Sequence, residues 1–233
     1  MMKLIMTGGG DSVHFKEIDQ FFINLLKEEA NLLFIPLAGD PDENPKVFED
    51  GLERIKGTFS TIKFKKIEMC LDLADLEWEY LKTFDAIYID GGNTFNLMEE
   101  IRNTHFYELL HRFLHHGGVV NGDSAGAIIL GSHLETAHFG ETPDENETEV
   151  ISYQGLNLLG QYAVHCHYEH SEKEEVQEFV DDYGFPVIAL HENTAVAVID
   201  HEIHVIGEAP ATIFTPHTIE NLQPGEKRML KRY

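Results

Sequence analysis

The stretch Gly118-Val119-Val120-Asn121-Gly122-Asp123-Ser124-Ala125-Gly126-Ala127-Ile128-Ile129-Leu130 runs from a buried-type strand through a glycine-flanked serine into an apolar helical segment. Strand, sharp turn and helix in that order are the setting of a nucleophile elbow, where a serine sits on a strained turn with its hydroxyl exposed at the end of a sheet. The demand is steric: strand and helix approach closely, so the neighbours two places away must be small, and Gly122 and Gly126 are. By chance roughly one chain in ten of this length carries G-x-S-x-G, so the placement after a buried strand gives the pattern its weight. The competing reading is a plain glycine turn, or a helix N-terminus that cradles an anion.

Working outward, Ile-, Val-, Leu- and Phe-rich runs at 3–7, 32–37, 62–69 and 86–90 join the strand at 118–121, alternating with helical periodicity. Ile18, Phe21, Phe22, Leu25 and Leu26 fall on one helical face, as do Phe106, Leu109, Leu110 and Phe113. Ser171 with Glu174 reads as a capping box before Val176, Phe179 and Val180. The expected fold is therefore α/β: a doubly wound, mostly parallel sheet flanked by helices. Runs at 194–200, 203–208 and 212–215 add antiparallel strands near the C-terminus. Residues 1–233 read as a single domain, and the acidic, Pro-containing stretch 141–147 reads as a solvated loop near the mouth of the site.

A net charge of -24, from 41 acidic against 17 basic residues, excludes a nucleic-acid backbone as partner, since phosphate binding needs clustered Lys and Arg. It also disfavours anionic membranes and leaves room for cationic substrates. Cys70 and Cys166 have no paired spacing, so neither a disulfide framework nor a thiolate zinc site is indicated. The apolar run at the N-terminus is too short for a signal peptide, and no stretch reaches bilayer length. A soluble, cytoplasmic protein is expected, and no cofactor motif is present.

A serine nucleophile needs a base and an orienting acid. The run 162–168 reads as a strand that turns His165 and His167 to one side. Such a pair suits a base with a pocket neighbour, a metal pair helped by Glu169 or His170, or two satisfied polar groups. The second of these would make a metal-dependent enzyme, but no clear third ligand has the right spacing. The strand at 187–190 delivers Glu192 to the sheet edge, where it can orient a base. The order Ser124, His167, Glu192 departs from the Ser, acid, His order of lipases and esterases. Asp144 or Glu149 could supply an acid between serine and histidine. A non-catalytic anion site on Gly8-Gly9-Gly10 fits poorly, because no full phosphate-binding signature follows it.

With these residues placed, the chain resembles the peptidase E and cyanophycinase family, serine peptidases of family S51 with a fold similar to class I glutamine amidotransferases. Thr7-Gly8-Gly9-Gly10 looks like the family's glycine-rich opening, Asp90-Gly91-Gly92-Asn93-Thr94-Phe95 like its second glycine turn, and Gly122 to Ala127 like its elbow. His167-Tyr168 looks like its base followed by an aromatic, and Glu192 falls where the family places its acid. The resemblance implies a Ser124, His167, Glu192 triad acting on a small peptide substrate through an acyl-enzyme, with the amides of Gly92 and Ala125 as the oxyanion hole. Thr94 and His165 are the expected pocket residues, and an exopeptidase or dipeptidase is the expected type. Cyanophycinase-like cleavage of β-aspartyl-arginine bonds is the alternative within the family. Members that select aspartyl residues bind the carboxylate with an arginine downstream of the histidine, whereas residues 169–182 offer only Lys173.

Overall fold

The computed structural model describes residues 2–10, 15–60 and 64–231. Its central sheet has eight strands. β1 (Lys3–Thr7), β2 (Asn31–Ile35), β3 (Lys66–Met69), β4 (Ala86–Ile89) and β5 (Val119–Asp123) are mutually parallel, as the apolar runs predict. The third run is shorter than expected at its start, and its residues 62 and 63 lie outside the described residues.

Period-two alternation sorts each strand between two cores. Ile5, Leu32, Phe34, Tyr88 and Val119 face α1 (Lys16–Asn24) and α2 (Val47–Thr58), which bury Ile18, Phe22 and Ile55 against them, joined by Phe59 just past the end of α2. Leu4, Met6, Leu33, Ile35, Ile87, Ile89 and Val120 face the other way, into a larger core. After the short α3 (Trp78–Leu81), that core is closed by α4 (Thr94–Arg102), α5 (Phe106–His115) and α6 (Ala125–Ile128).

The C-terminal third divides between two sheets. β6 (Ala163–His165), β7 (Val187–Leu190), β10 (Ala211–Phe214) and β11 (Ile219–Leu222) form a second sheet in the order β11-β10-β7-β6, with α7 (Lys173–Tyr183) packing Val176, Phe179 and Val180 on its outer face. β8 (Thr194–Ile199), β9 (Glu202–Gly207) and β12 (Lys227–Met229) extend the first sheet antiparallel from β1, giving the order β12-β9-β8-β1-β5-β4-β2-β3. The run at 212–215 therefore joins β7, not the parallel sheet as expected. The pairing partner of a short apolar strand is a non-local choice that its own residues do not encode.

The capping box also differs from expectation: Glu169 and Glu172 form it at a 3-10 turn ahead of α7, in place of Ser171 and Glu174. Among the described residues no helix is long and apolar enough to cross a membrane. Both cysteines are free and buried.

Candidate active site

β5 ends at Asp123 and α6 starts at Ala125, so Ser124 alone makes the turn between them. Its φ of 47° and ψ of -111° are strained for an L-residue, and such strain persists only where the surroundings over-determine it. Two glycines do so. A Cβ on Gly122 would stand 2.3 Å from the Gly126 carbonyl oxygen, and one on Gly126 would stand 2.4 Å from that of Ile89. The Ser124 N–H donates to Thr7 O at 3.1 Å, tying the turn to the end of β1.

The second sheet brings the imidazole. β6 stops at His165, and at His167 the backbone passes through φ 55°. There the His167 N–H donates to Gly8 O at 2.9 Å and the Tyr168 N–H to Leu190 O at 3.0 Å. The ring lies over Gly9, where a Cβ would sit 2.2 Å from His167 Cε1. The Gly8-Gly9-Gly10 turn is thus filled by the protein's own histidine. His167 Nε2 is 2.8 Å from Ser124 Oγ, and Nδ1 is 3.0 Å from Glu192 Oε1, just past the end of β7. An ionised carboxylate only accepts, so the proton is assigned to Nδ1 and the Nε2 lone pair to the serine hydroxyl. The Asn193 N–H donates to Gly9 O at 2.9 Å and anchors the Glu192 segment to the same turn.

The other anticipated residues are placed as follows. Gly92 lines the cavity at Ser124 with φ 138°, and a Cβ there would stand 2.2 Å from Ala38 O. Ala125 is buried at the head of α6, where its N–H has no intrahelical acceptor. Thr94 is a correction: it is fully buried behind the cavity and does not line it, because it opens α4 and its side chain is turned out of the solvent. His165 is a second correction. The left-handed residue at 167 breaks the strand periodicity, so the two histidines diverge. His165 is buried, with Nε2 2.8 Å from Glu172 Oε2 and Nδ1 3.2 Å from Thr136 O, while His167 faces Ser124. The pair therefore does not converge on a common ligand. Asp144 lines the cavity and accepts the Thr94 N–H at 2.8 Å, whereas Glu149 is exposed; neither is the partner of His167.

Several contributors escaped the sequence reading. Asn93 accepts from the N–H groups of Phe95 and Asn96 at 2.9 and 3.0 Å, and its Nδ2 donates to Glu145 O at 2.9 Å. It thereby clamps the Gly91-Gly92 turn to the acidic loop. Its signal was available, since Asn ahead of an apolar helical pattern is an N-cap. Beneath the elbow, Thr7 Oγ1 donates to Asp123, and Arg54 pairs with Asp90. Burial, with the Asp90 charge adding to it, pushes the Asp123 carboxyl up to about 6. Burial and the Asp123 charge push Asp19 up to about 7. The Cys166 thiol, with Sγ 3.4 Å from Thr7 O, is raised well above its ordinary value by burial, which leaves it inert as a nucleophile.

The arrangement can be set beside known proteins. Residues 4–206 match the sequence model of Peptidase family S51. The chain is 24% identical to a peptidase E of Shewanella putrefaciens over 225 residues, covering 92% of this chain and 90% of the relative. It is 28% identical to a cyanophycinase of Geminocystis herdmanii over 226 residues, covering 90% and 79% respectively. Among solved structures, a peptidase from an acI-B1 Actinobacterium shares the fold with a TM-score of 0.74 at 19% identity, covering 98% of this chain and 97% of that one. The match over residues 4–206 takes in the strained serine and both groups in line with it, and on that ground the chain belongs to peptidase family S51 and is a serine peptidase.

Proposed function

We propose that the protein hydrolyses short peptides, as an exopeptidase or dipeptidase, through Ser124 as nucleophile, His167 as base and Glu192 as the orienting acid. The observation that carries this reading is the unbroken line from Ser124 Oγ to His167 Nε2 at 2.8 Å and from Nδ1 to Glu192 Oε1 at 3.0 Å, mounted on a strained turn. Ser124 Oγ attacks the scissile carbonyl carbon as its proton passes to His167 Nε2. The oxyanion that forms is taken by the N–H groups of Gly92 and Ala125. Collapse breaks the C–N bond, His167 gives its proton to the leaving amine, and an ester on Ser124 remains. Water, deprotonated by the same imidazole, then releases the acid and restores the serine.

The cavity at Ser124 is about 840 Å³, within the span typical of small-molecule sites, which favours a di- or tripeptide over a folded protein. We read residues 1–233 as one domain because the two sheets jointly build this cavity, and as cytoplasmic because both thiols are unpaired. The test is turnover of a dipeptide library by wild type and Ser124→Ala. A loss of about 10⁶-fold is expected, by comparison with other serine hydrolases, together with loss of fluorophosphonate labelling. Equal turnover by the two proteins rejects Ser124 as the nucleophile.

A further inference from the structure

Behind the cavity at Ser124 lies a histidine that the proposed triad does not use. His165 ends β6, and both of its ring nitrogens face acceptors: Nε2 stands 2.8 Å from Glu172 Oε2 and Nδ1 stands 3.2 Å from the Thr136 carbonyl oxygen. A carbonyl only accepts, and so does an ionised carboxylate. A neutral ring carries one N–H, so it would satisfy one of the two and set a lone pair against the other.

Glu172 is held in its ionised form. Burial works to raise its carboxyl, but the hydrogen bonds from His165 and from the Glu169 N–H, with His167 adding to them, carry it below its ordinary value. Tyr168, whose ring stands edge-on to His165, keeps its proton, since burial and the Glu172 charge push its phenol up. The ring that fits this place therefore carries a proton on each nitrogen. The His165 side chain is 3% exposed and that of Glu172 11%, so the pair is little screened by solvent. A buried cation persists only where it is paired and hydrogen-bonded, as this one is.

The two acceptors belong to separate segments of the cavity lining. Thr136, Phe139 and Gly140 lie on one, and Glu169, Ser171 and Glu172 on the other. Thr136 is itself moored to β6, its Oγ1 donating to Val164 O at 2.6 Å. Glu172 Oε2 also accepts the Glu169 N–H at 3.0 Å and so closes the 3-10 turn. Gly140 allows the segments to meet: a Cβ there would stand 2.5 Å from Glu172 Oε1, and its φ of 82° suits glycine. A further tie between them is longer and exposed, from the Gly140 N–H to Glu175 Oε2 at 3.3 Å.

Resting on the reading that the peptide occupies this cavity, we propose that His165, as an imidazolium, is a positioning residue that locks segment 136–140 to segment 169–172 and so sets the width of the peptide site beside Ser124. It touches neither Ser124 nor Glu192. His167 and Glu192 keep their own moorings on Gly8 and Gly9, so releasing the lock acts on substrate binding and leaves turnover of bound substrate nearly intact.

The experiment compares kcat and KM of wild type, His165→Asn and His165→Gln on the dipeptide that wild type turns over best. The asparagine amide can replace Nδ1–H toward Thr136 O but falls short of Glu172, whereas the glutamine amide can reach Glu172 in place of Nε2–H. In His165→Asn, KM is expected to rise about tenfold, the scale of one charge-assisted hydrogen bond, with kcat within about twofold. His165→Gln is expected to recover most of that loss. An unchanged KM in His165→Asn, a loss confined to kcat, or a glutamine variant no better than the asparagine one overturns the proposal.

A second measurement needs no variant. In nitrogen-15 spectra of histidine-labelled wild type at about pH 7.5, where an ordinary imidazole is mostly neutral, both His165 ring nitrogens should show protonated shifts, the signal being assigned through its contact with the Phe139 ring. A neutral His165 ring there overturns the proposal as well. That spectrum does not depend on which residue attacks the substrate, so it judges the lock by itself, whereas turnover that survives Ser124→Ala removes the serine mechanism alone.

Discussion

On the eight-stranded side of the seam Ser124 is fixed by atoms that cannot yield, whereas on the four-stranded side His167 and Glu192 are fixed by hydrogen bonds and stand half exposed. A Cβ at Gly122 or Gly126 meets backbone oxygens at 2.3 and 2.4 Å, and backbone does not step aside. The imidazole and carboxylate side chains are 45% and 56% exposed, held through the amides of His167 and Asn193 on Gly8 and Gly9. The proposed nucleophile is placed by shape, and its proposed partners are placed by backbone bonding. A serine turn has one tolerated geometry, while a group proposed as the base must keep enough freedom to receive one proton and deliver another.

That contrast can be broken most forcefully at His167. Replacing it by Ala should lower kcat/KM by about 10⁶-fold, as for other bases in such units, while the melting temperature stays within a degree or two because the ring is half solvated. Glu192→Gln should cost less, about 10² to 10⁴-fold, toward the lower end because its exposed charge is screened. Equal losses from the two substitutions would show that solvent does not weaken this acid, and the exposed half would then be as tightly built as the elbow.

Two glycine substitutions sharpen the same comparison. Gly126→Ala drives a methyl against the Ile89 carbonyl, so it should destabilise the fold by about 3 kcal/mol, measured by denaturant titration, and take activity with it. Gly9→Ala drives a methyl against the His167 ring, a side chain that can swing away, although φ 81° adds some strain. It should cost about 10²-fold in rate, the penalty for an ångström of misplacement, with a much smaller change in stability. Placed in a His167→Ala background it should cost almost nothing more, since its target is gone. Additive losses in the double variant would mean that Gly9 serves something other than the ring.

What the sequence made legible follows the same division. The G-x-S-x-G spacing is readable because the steric demand falls on residues two places apart, and β1, β4 and β5 are readable because burial on both faces leaves continuous apolar runs. Register then sets Thr7 opposite Asp123, which carries Gly8 alongside Ser124. Where the chain meets itself across long separations, the signal fades. Nothing local marks the run at 212–215 for β7, or the left-handed turn at His167 that sends His165 into the interior. Thr94 was anticipated from its adjacency to the glycine turn, but adjacency does not report which way the first residue of a helix faces.

The smallest effect lies beneath the elbow, in the burial of Asp19 within reach of the Asp123 charge, a proximity that sequence could not reveal. In the unfolded chain the Asp19 carboxyl titrates near 3.8 and in the folded protein near 7, chiefly through burial, with the Asp123 charge adding and Arg54 opposing. The folded state therefore holds more protons than the unfolded one across that interval. Stability from this group is complete below about pH 4 and is lost as pH rises toward 7. Asp19→Asn removes the titration without changing the shape. With Asp19 still partly in contact with solvent, the gain is discounted to about 1 kcal/mol, or about 2–4 °C in melting temperature at pH 8. The difference between variant and wild type should shrink on acidification and vanish below pH 4, as followed by thermal melts across the range. A gain that is the same at pH 4 and pH 8 would mean that Asp19 acts by packing. The rigid elbow would then rest on shape alone, with no electrostatic cost concealed beneath it.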